Sequence, residues 1–278
     1  MLSNFKIYLI EEGKSENTVK SYCRHVNQYL KWYYDSFGMK FNKLYRENVL
    51  EFKSYLYNVK NQNAKTINAK LSALAKFNEF LIAEGIQDKI VITKKDIIKI
   101  QAQSTNPTDI SKKDVEKFRQ QVLENEGIRN YAIVTIMTYC GTRISETLNI
   151  KLSDINLTTR EIIIRQGKGN KQRIVYMNDK VVNAIKEYLK ERKETDLDYL
   201  FVSNKGNKID RTVINKVFNK YSARITPHKL RHYFCTNTLE NGFSIHEVAY
   251  LAGHSNVHTT LIYTNPTENI IKEKINRL

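Results

Sequence analysis

The sequence predicts a mainly α-helical protein with two domains. The first domain is all-helical, and the second is mostly helical with one small antiparallel β-sheet. Three observations lead to this prediction. The chain has 278 residues, which exceeds the usual size of a single domain. Apolar residues recur at helical spacing through most of the chain, and one short region alone shows the features of paired strands.

The first hundred residues show the periodicity of helices only. Gly13 is suited to end a first helix, and Ser15 is suited to cap the next. Apolar positions with helical spacing follow in residues 47–60 and again in residues 64–85. We therefore predict a compact helical domain over residues 1–93.

Residues 94–110 lose this periodicity and are rich in Lys, Gln, Ser, Thr, Asn and Pro, which is typical of a linker. A new helix is expected to begin at Ser111, and an apolar helix is expected to end at Gly141. The second domain is therefore predicted to span residues 111–278.

Two strands are predicted inside the second domain, because "REIIIRQ" and "RIVYM" flank the glycine-rich turn "GKGNK". Helical patterns return in residues 178–193 and 210–221. Thr226 is then suited to cap another helix, with Pro227 at its first position. An amphipathic helix is also predicted over residues 266–278.

The charge balance is strongly basic: 45 Lys and Arg residues against 29 Asp and Glu residues give a net charge of +16. The excess lies in both halves of the chain, which favours a polyanion bound by both domains over a lysine-rich protein without such a partner. No apolar run is long enough to cross a membrane, and the N-terminus does not resemble a signal peptide. We therefore expect a cytoplasmic protein without a membrane partner.

The stretch "TPHKLRHYF" places His228, Arg231 and His232 on one face of a helix. Two histidines one turn apart could bind zinc, but the stretch offers no third ligand, and Lys229 and Arg231 add positive charge. An arginine fork beside a histidine suits phosphate oxygens better. The sequence favours a phosphate site here over a metal site or the solvated face of a surface helix.

Five motifs together resemble the tyrosine recombinase (phage integrase) family. They are "GTRISE" with Arg143, "GKGNK" with Lys168, "HKLRH", "LAGHS" with His254 and "TLIYT" with Tyr263, in the order found in that family. The stretch "GKSENTVKSYCRHVNQYL" is similar to the SAM-like core-binding domain of the family. The resemblance therefore covers nearly the whole chain, and it favours a simple recombinase of the Xer, transposon or plasmid type.

The resemblance implies site-specific DNA recombination by a C-shaped clamp around a duplex recombination site. Tyr263 would attack the scissile phosphate to form a 3′-phosphotyrosyl intermediate, and strand exchange and religation would follow without metal, cofactor or ATP. Glu146 would brace Arg143, His232 would support the site, and Lys171 is the alternative to Lys168. The catalytic residues implied are Arg143, Lys168, His228, Arg231, His254 and Tyr263.

The family also implies a homotetramer on two DNA sites, with the helix over residues 266–278 docked on a neighbouring protomer rather than on its own domain. Three other classes are less well supported by the intact set of motifs: a type IB topoisomerase, a non-catalytic DNA-binding regulator and a metal-dependent nuclease.

Overall fold

The computed structural model describes residues 1–100, 110–165, 172–254 and 258–261. The chain divides into two compact units, Met1–Gln103 and Ser104–Leu278. The predicted fold class is confirmed: helices make up most of both units, and a small antiparallel sheet lies in the second. The clamp-like arrangement of the domains around DNA stays a prediction.

The N-terminal unit is built around a core of aromatic side chains, in which Phe5, Tyr29, Phe52 and Phe77 are almost completely buried. The side chain of Ser15 accepts a hydrogen bond from the backbone N–H of Thr18, so the predicted cap is present. A single π-helical turn, Tyr55–Val59, continues the third helix. The helices are α1 (Leu2–Glu11), α2 (Glu16–Phe37), α3 (Arg46–Ser54) and α4 (Ala64–Ala83).

The first residues of the predicted linker, 94–110, pack on this N-terminal unit. Asp96 accepts two hydrogen bonds from the guanidinium of Arg46, at 2.8 and 3.0 Å, and its carbonyl accepts one from Lys53 at 2.7 Å. The side-chain amide of Asn68 on α4 donates to the carbonyl of Ile98 and accepts from its backbone N–H, both at 2.9 Å. Residues as far as Ile98 therefore have the composition of a linker but are hydrogen-bonded to the helical domain.

The second unit begins at Ser111, which caps the long helix α5 through a reciprocal pair of hydrogen bonds with Asp114. Gly127 interrupts this helix at φ 80° and ψ 175°, where the two predicted helices meet. Cys140 and Cys235 are buried and Cys23 is partly buried, and none of these three forms a disulfide bond. The helices are α5 (Lys112–Cys140), α6 (Ile144–Leu148), α7 (Asp179–Glu191), α8 (Arg211–Tyr221), α9 (Pro227–Glu240), α10 (Ile245–Ala252) and α11 (His258–Leu261).

The two predicted strands pair as expected, and Ile162 lies opposite Val175 with both side chains in the core. A third strand that the sequence did not predict joins the edge of β2. It has only two residues, too few for an alternating pattern to be recognised. The antiparallel order is β1 (Ile155–Asn156), β2 (Glu161–Ile164) and β3 (Arg173–Tyr176).

Two glycines bring helix ends close to other elements of the second unit. Gly141 ends α5 at φ 61°, and a Cβ atom there would lie 2.2 Å from the ring of Phe234 on α9. Gly253 ends α10 at φ 65°, and a Cβ atom there would lie 2.8 Å from the guanidinium carbon of Arg173. Neither position has room for a side chain. The absence of a Cβ atom lets the end of α5 approach α9 and lets the end of α10 approach Arg173 of β3.

Within the described residues, no helix combines the length and apolar character that a membrane span requires.

Candidate active site

Arg143 lies at the N-cap of α6, immediately after the turn that begins at Gly141. Its backbone N–H donates to Glu146 at 2.8 Å, and its guanidinium donates to the same carboxylate at 2.6 Å. These two bonds fix the start of a helix only five residues long. The Arg143 side chain keeps 31% exposure, whereas that of Glu146 keeps 2%. The buried carboxylate of Glu146 therefore holds Arg143 in place, while part of the Arg143 side chain remains exposed to solvent.

The carboxylate of Glu146 accepts two further hydrogen bonds from Arg173, at 2.8 and 3.2 Å. Burial alone would raise the pKa of Glu146, but the hydrogen bonds and charge of Arg173, with those of Arg143, lower it below its usual value. Glu146 is thus a buried anion shared by two arginines. The contact between Glu146 and Arg143 was expected from the sequence, whereas the contact between Glu146 and Arg173 was not.

Arg231 lies on α9 and is 5% exposed. Its guanidinium donates to the carbonyl of Gly141 at 2.6 Å and to the carbonyl of Ala252, at the ends of α5 and α10. Helix C-termini carry partial negative charge, so both contacts favour the cation. Burial and the nearby charge of Arg143 lower the pKa of Arg231 to about 10. In the described part of the chain, no carboxylate forms an ion pair with Arg231.

His254 follows Gly253 at the end of α10, where its backbone N–H donates to the carbonyl of Ala249 at 2.9 Å. Its Nδ1 lies 2.8 Å from the hydroxyl of Thr260, which is fully buried. Burial lowers the pKa of His254 to about 4, and the positive charges of Arg231, Arg143 and Arg173 contribute to this shift. The imidazole is therefore neutral near pH 7.

His228 and His232 are hydrogen-bonded to each other, with 2.9 Å between their Nε2 atoms and the rings nearly perpendicular. Burial and the neighbouring His228 lower the pKa of His232 to about 4. The sequence interpretation placed His232 as a support for the site, and the structure pairs it directly with His228. The pair occupies the first turns of α9, beside Arg231.

The structure thus brings Arg143, Arg231 and His254 around the end of α10, together with Glu146 and Arg173. Arg173 and Arg231 bind consecutive carbonyls of that helix, those of Leu251 and Ala252. The predicted residues Lys168 and Tyr263, and the alternative Lys171, lie outside the described residues. Arg173 escaped prediction because a basic residue at the start of a strand gives no periodic or motif signal.

The lowered pKa of His254 predicts that acid destabilises the second unit. Between about pH 6.5 and about pH 4 the unfolded chain binds a proton at this residue that the folded chain does not, so the free energy of unfolding decreases as the pH falls. We expect a smaller loss in His254→Gln. Urea unfolding followed by circular dichroism, at about pH 7.5 and about pH 5, measures the difference.

His246→Gln is the matched control, because His246 is exposed on α10, the helix that precedes His254. An equal pH dependence in His254→Gln and the wild-type chain would contradict the prediction.

Comparison with known proteins gives the same family as the sequence motifs. The sequence matches the phage integrase family over residues 108–269 and the N-terminal SAM-like domain of phage integrases over residues 2–85. It is 56% identical to the TnP I resolvase of Bacillus thuringiensis, over 99% of this chain and 98% of that protein. It is 30% identical to the tyrosine recombinase XerA of Pyrococcus furiosus, over 100% of this chain and 93% of that one.

Two solved structures share the fold. The Tn1549 transposon integrase in complex with transposon right end DNA superposes with a TM-score of 0.75 at 20% identity, covering 99% of this chain and 98% of that one. The XerH recombinase bound to a palindromic difH substrate gives a TM-score of 0.73 at 22% identity, covering 99% and 94%. The resemblance predicted from the motifs is confirmed. The chain belongs to the phage integrase family and is a tyrosine recombinase, an enzyme of site-specific DNA recombination.

Proposed function

We propose that Arg143, Arg231 and His254 bind the scissile phosphate of a duplex recombination site. The observation that carries this proposal is the charge of the cluster. Within the described residues, the guanidinium groups of Arg143 and Arg173 share the carboxylate of Glu146, and Arg231 lies near enough to feel the charges of all three without forming an ion pair. A bound phosphodiester would balance the remaining positive charge, and the same arginines would stabilise the additional negative charge of the transition state.

Duplex DNA is the substrate that this charge pattern favours. The net charge of +16 is spread over both units, and the solved structures that share the fold include complexes with DNA. We assign residues 1–93 to a core-binding domain, residues 94–110 to a linker and residues 111–278 to the catalytic domain. Because phosphate contacts release counterions, DNA affinity is expected to fall steeply as the salt concentration rises.

Tyr263 is the proposed nucleophile. Its hydroxyl oxygen bonds to phosphorus while the bond from phosphorus to the 5′-oxygen breaks, which leaves a 3′-phosphotyrosyl link and a free 5′-hydroxyl. A free tyrosine has a pKa near ~10, so the proton needs an acceptor, and we assign this role to His228. Lys168 donates the proton to the leaving 5′-oxygen. Attack by the 5′-hydroxyl of another strand reverses these steps and exchanges the strands without ATP.

The hydrogen bonds of the histidines agree with these roles. When the Thr260 hydroxyl donates to Nδ1 of His254, the neutral ring carries its proton on Nε2 and can donate it to a non-bridging oxygen. When Nε2 of His228 donates to His232, Nδ1 of His228 is the nitrogen that accepts the tyrosine proton. His232 has a lowered pKa and therefore suits the acceptor position in that pair.

The working assembly that we propose is a cytoplasmic homotetramer on two DNA sites. In it, the C-terminal helix of residues 266–278 docks on a neighbouring protomer, so that cleavage depends on assembly.

Covalent trapping tests the proposed nucleophile. The DNA site can be selected from a random pool of duplexes by binding, and a nick next to the scissile phosphate then prevents religation. We expect the wild-type chain to form a covalent adduct with this DNA and Tyr263→Phe to form none, because phenylalanine lacks the attacking oxygen. Denaturing electrophoresis of the labelled DNA measures the adduct.

Tyr250→Phe is the matched control, because Tyr250 is an exposed tyrosine on α10, and it should form the adduct normally. The assignment fails if the wild-type chain gives no adduct or if Tyr263→Phe gives as much as the control.

Removal of residues 268–278 tests the docking of the C-terminal helix. A helix that docks on a neighbour is needed for assembly rather than for the first binding event. We expect the truncated chain to bind a single half-site with nearly normal affinity, and to lose both the tetrameric complex and recombination. Gel-shift and recombination assays measure the two effects. If assembly and recombination both persist, the helix does not act between protomers.

A further inference from the structure

Arg173 has every nitrogen of its guanidinium engaged. Nη1 and Nη2 donate to the two carboxylate oxygens of Glu146, at 3.2 and 2.8 Å, and Nε donates to the carbonyl of Leu251 at 3.1 Å. The side chain is 7% exposed, so these bonds lie away from solvent. A planar fork with fixed directions can bind a carboxylate and a carbonyl at once, which a lysine cannot do with the same geometry.

The two partners of Arg173 belong to different elements of the site. Glu146 accepts hydrogen bonds from the backbone and the guanidinium of Arg143 at the start of α6. Leu251 lies in the last turn of α10, three residues before His254, and Gly253 leaves just enough room for the guanidinium. Arg173 itself begins β3. One side chain therefore joins a strand, the helix start that holds Arg143 and the helix end that precedes His254.

The charge of Arg173 also changes what Arg143 can do. A buried carboxylate requires a cation, and without Arg173 the charge of Glu146 would be balanced by Arg143 alone. That pairing would neutralise Arg143 and draw it away from solvent. With Arg173 present, two guanidiniums share one carboxylate, so a net positive charge remains at the partly exposed Arg143.

We propose that Arg173 is a positioning residue for DNA cleavage. It neutralises Glu146, so that the charge of Arg143 is available to the scissile phosphate, and it fixes the end of α10, so that His254 meets the same phosphate. This inference rests on the proposed phosphate site, and it adds a residue that does not touch the DNA.

Single-turnover cleavage of the nicked duplex at saturating protein tests the proposal, with DNA affinity and thermal unfolding measured for every variant. Arg173→Met should slow cleavage by about 100-fold while DNA affinity changes by less than about threefold, because the loss arises at the transition state. Arg173→Lys keeps the charge but not the fork, so it should cleave at an intermediate rate.

Glu146→Gln in the Arg173→Met background is the decisive variant. The neutral amide no longer requires Arg143 as its counterion, so cleavage should recover by about tenfold relative to Arg173→Met alone. The double variant also removes the unbalanced buried charge. It therefore gives a folded protein to measure if Arg173→Met does not fold, and the comparison is then made with Arg173→Lys.

Arg119→Met is the matched control, because Arg119 is also a buried arginine of this unit but bonds Glu116, Thr135, Tyr131 and Tyr139 instead. It should lose stability without a comparable loss of cleavage by the folded protein. Wild-type cleavage in Arg173→Met, an equal loss in Arg119→Met, or no recovery in the double variant would each overturn the role of Arg173. Failure of the wild-type chain to form an adduct would instead overturn the proposed function.

Discussion

The carboxylate of Glu146 is the point on which the arrangement of the site depends. It accepts four hydrogen bonds, two from Arg143 and two from Arg173, and its side chain is almost fully buried. A buried anion is stable only when it is paired and its oxygens are saturated, so both arginines are constrained once Glu146 is in place. Through Arg173 the constraint extends to the end of α10 and thus to His254.

Arg231 is held in a different way, by backbone carbonyls at the ends of α5 and α10. Carbonyl dipoles satisfy its hydrogen-bond donors without cancelling its charge. The close approach of these helix ends depends on Gly141, whose position leaves no space for a Cβ atom beside Phe234. The result is a pre-organised cation that lacks a carboxylate partner among the described residues, which is the electrostatic arrangement that an incoming phosphate requires.

Much of this architecture could be predicted from the sequence, because helix caps and periodicity are local signals. The caps at Ser15, Ser111 and Thr226 are present, and the strands on both sides of "GKGNK" pair as expected. Tertiary contacts leave no such signal. The two-residue strand β1, the bonds of Asp96 to the N-terminal unit, the role of Arg173 and the bond between His228 and His232 all depend on which elements meet in space.

The arginines are proposed to act by neutralising charge on the phosphate, and a substrate with a neutral linkage tests this role most directly. In a methylphosphonate, a methyl group replaces one non-bridging oxygen, so the charge that Arg143 is proposed to neutralise is absent. Single-turnover cleavage of nicked duplexes with either linkage should show that Arg143→Ala slows cleavage of the phosphodiester by about 100-fold or more and that of the methylphosphonate far less. An equal loss on both substrates would contradict the account.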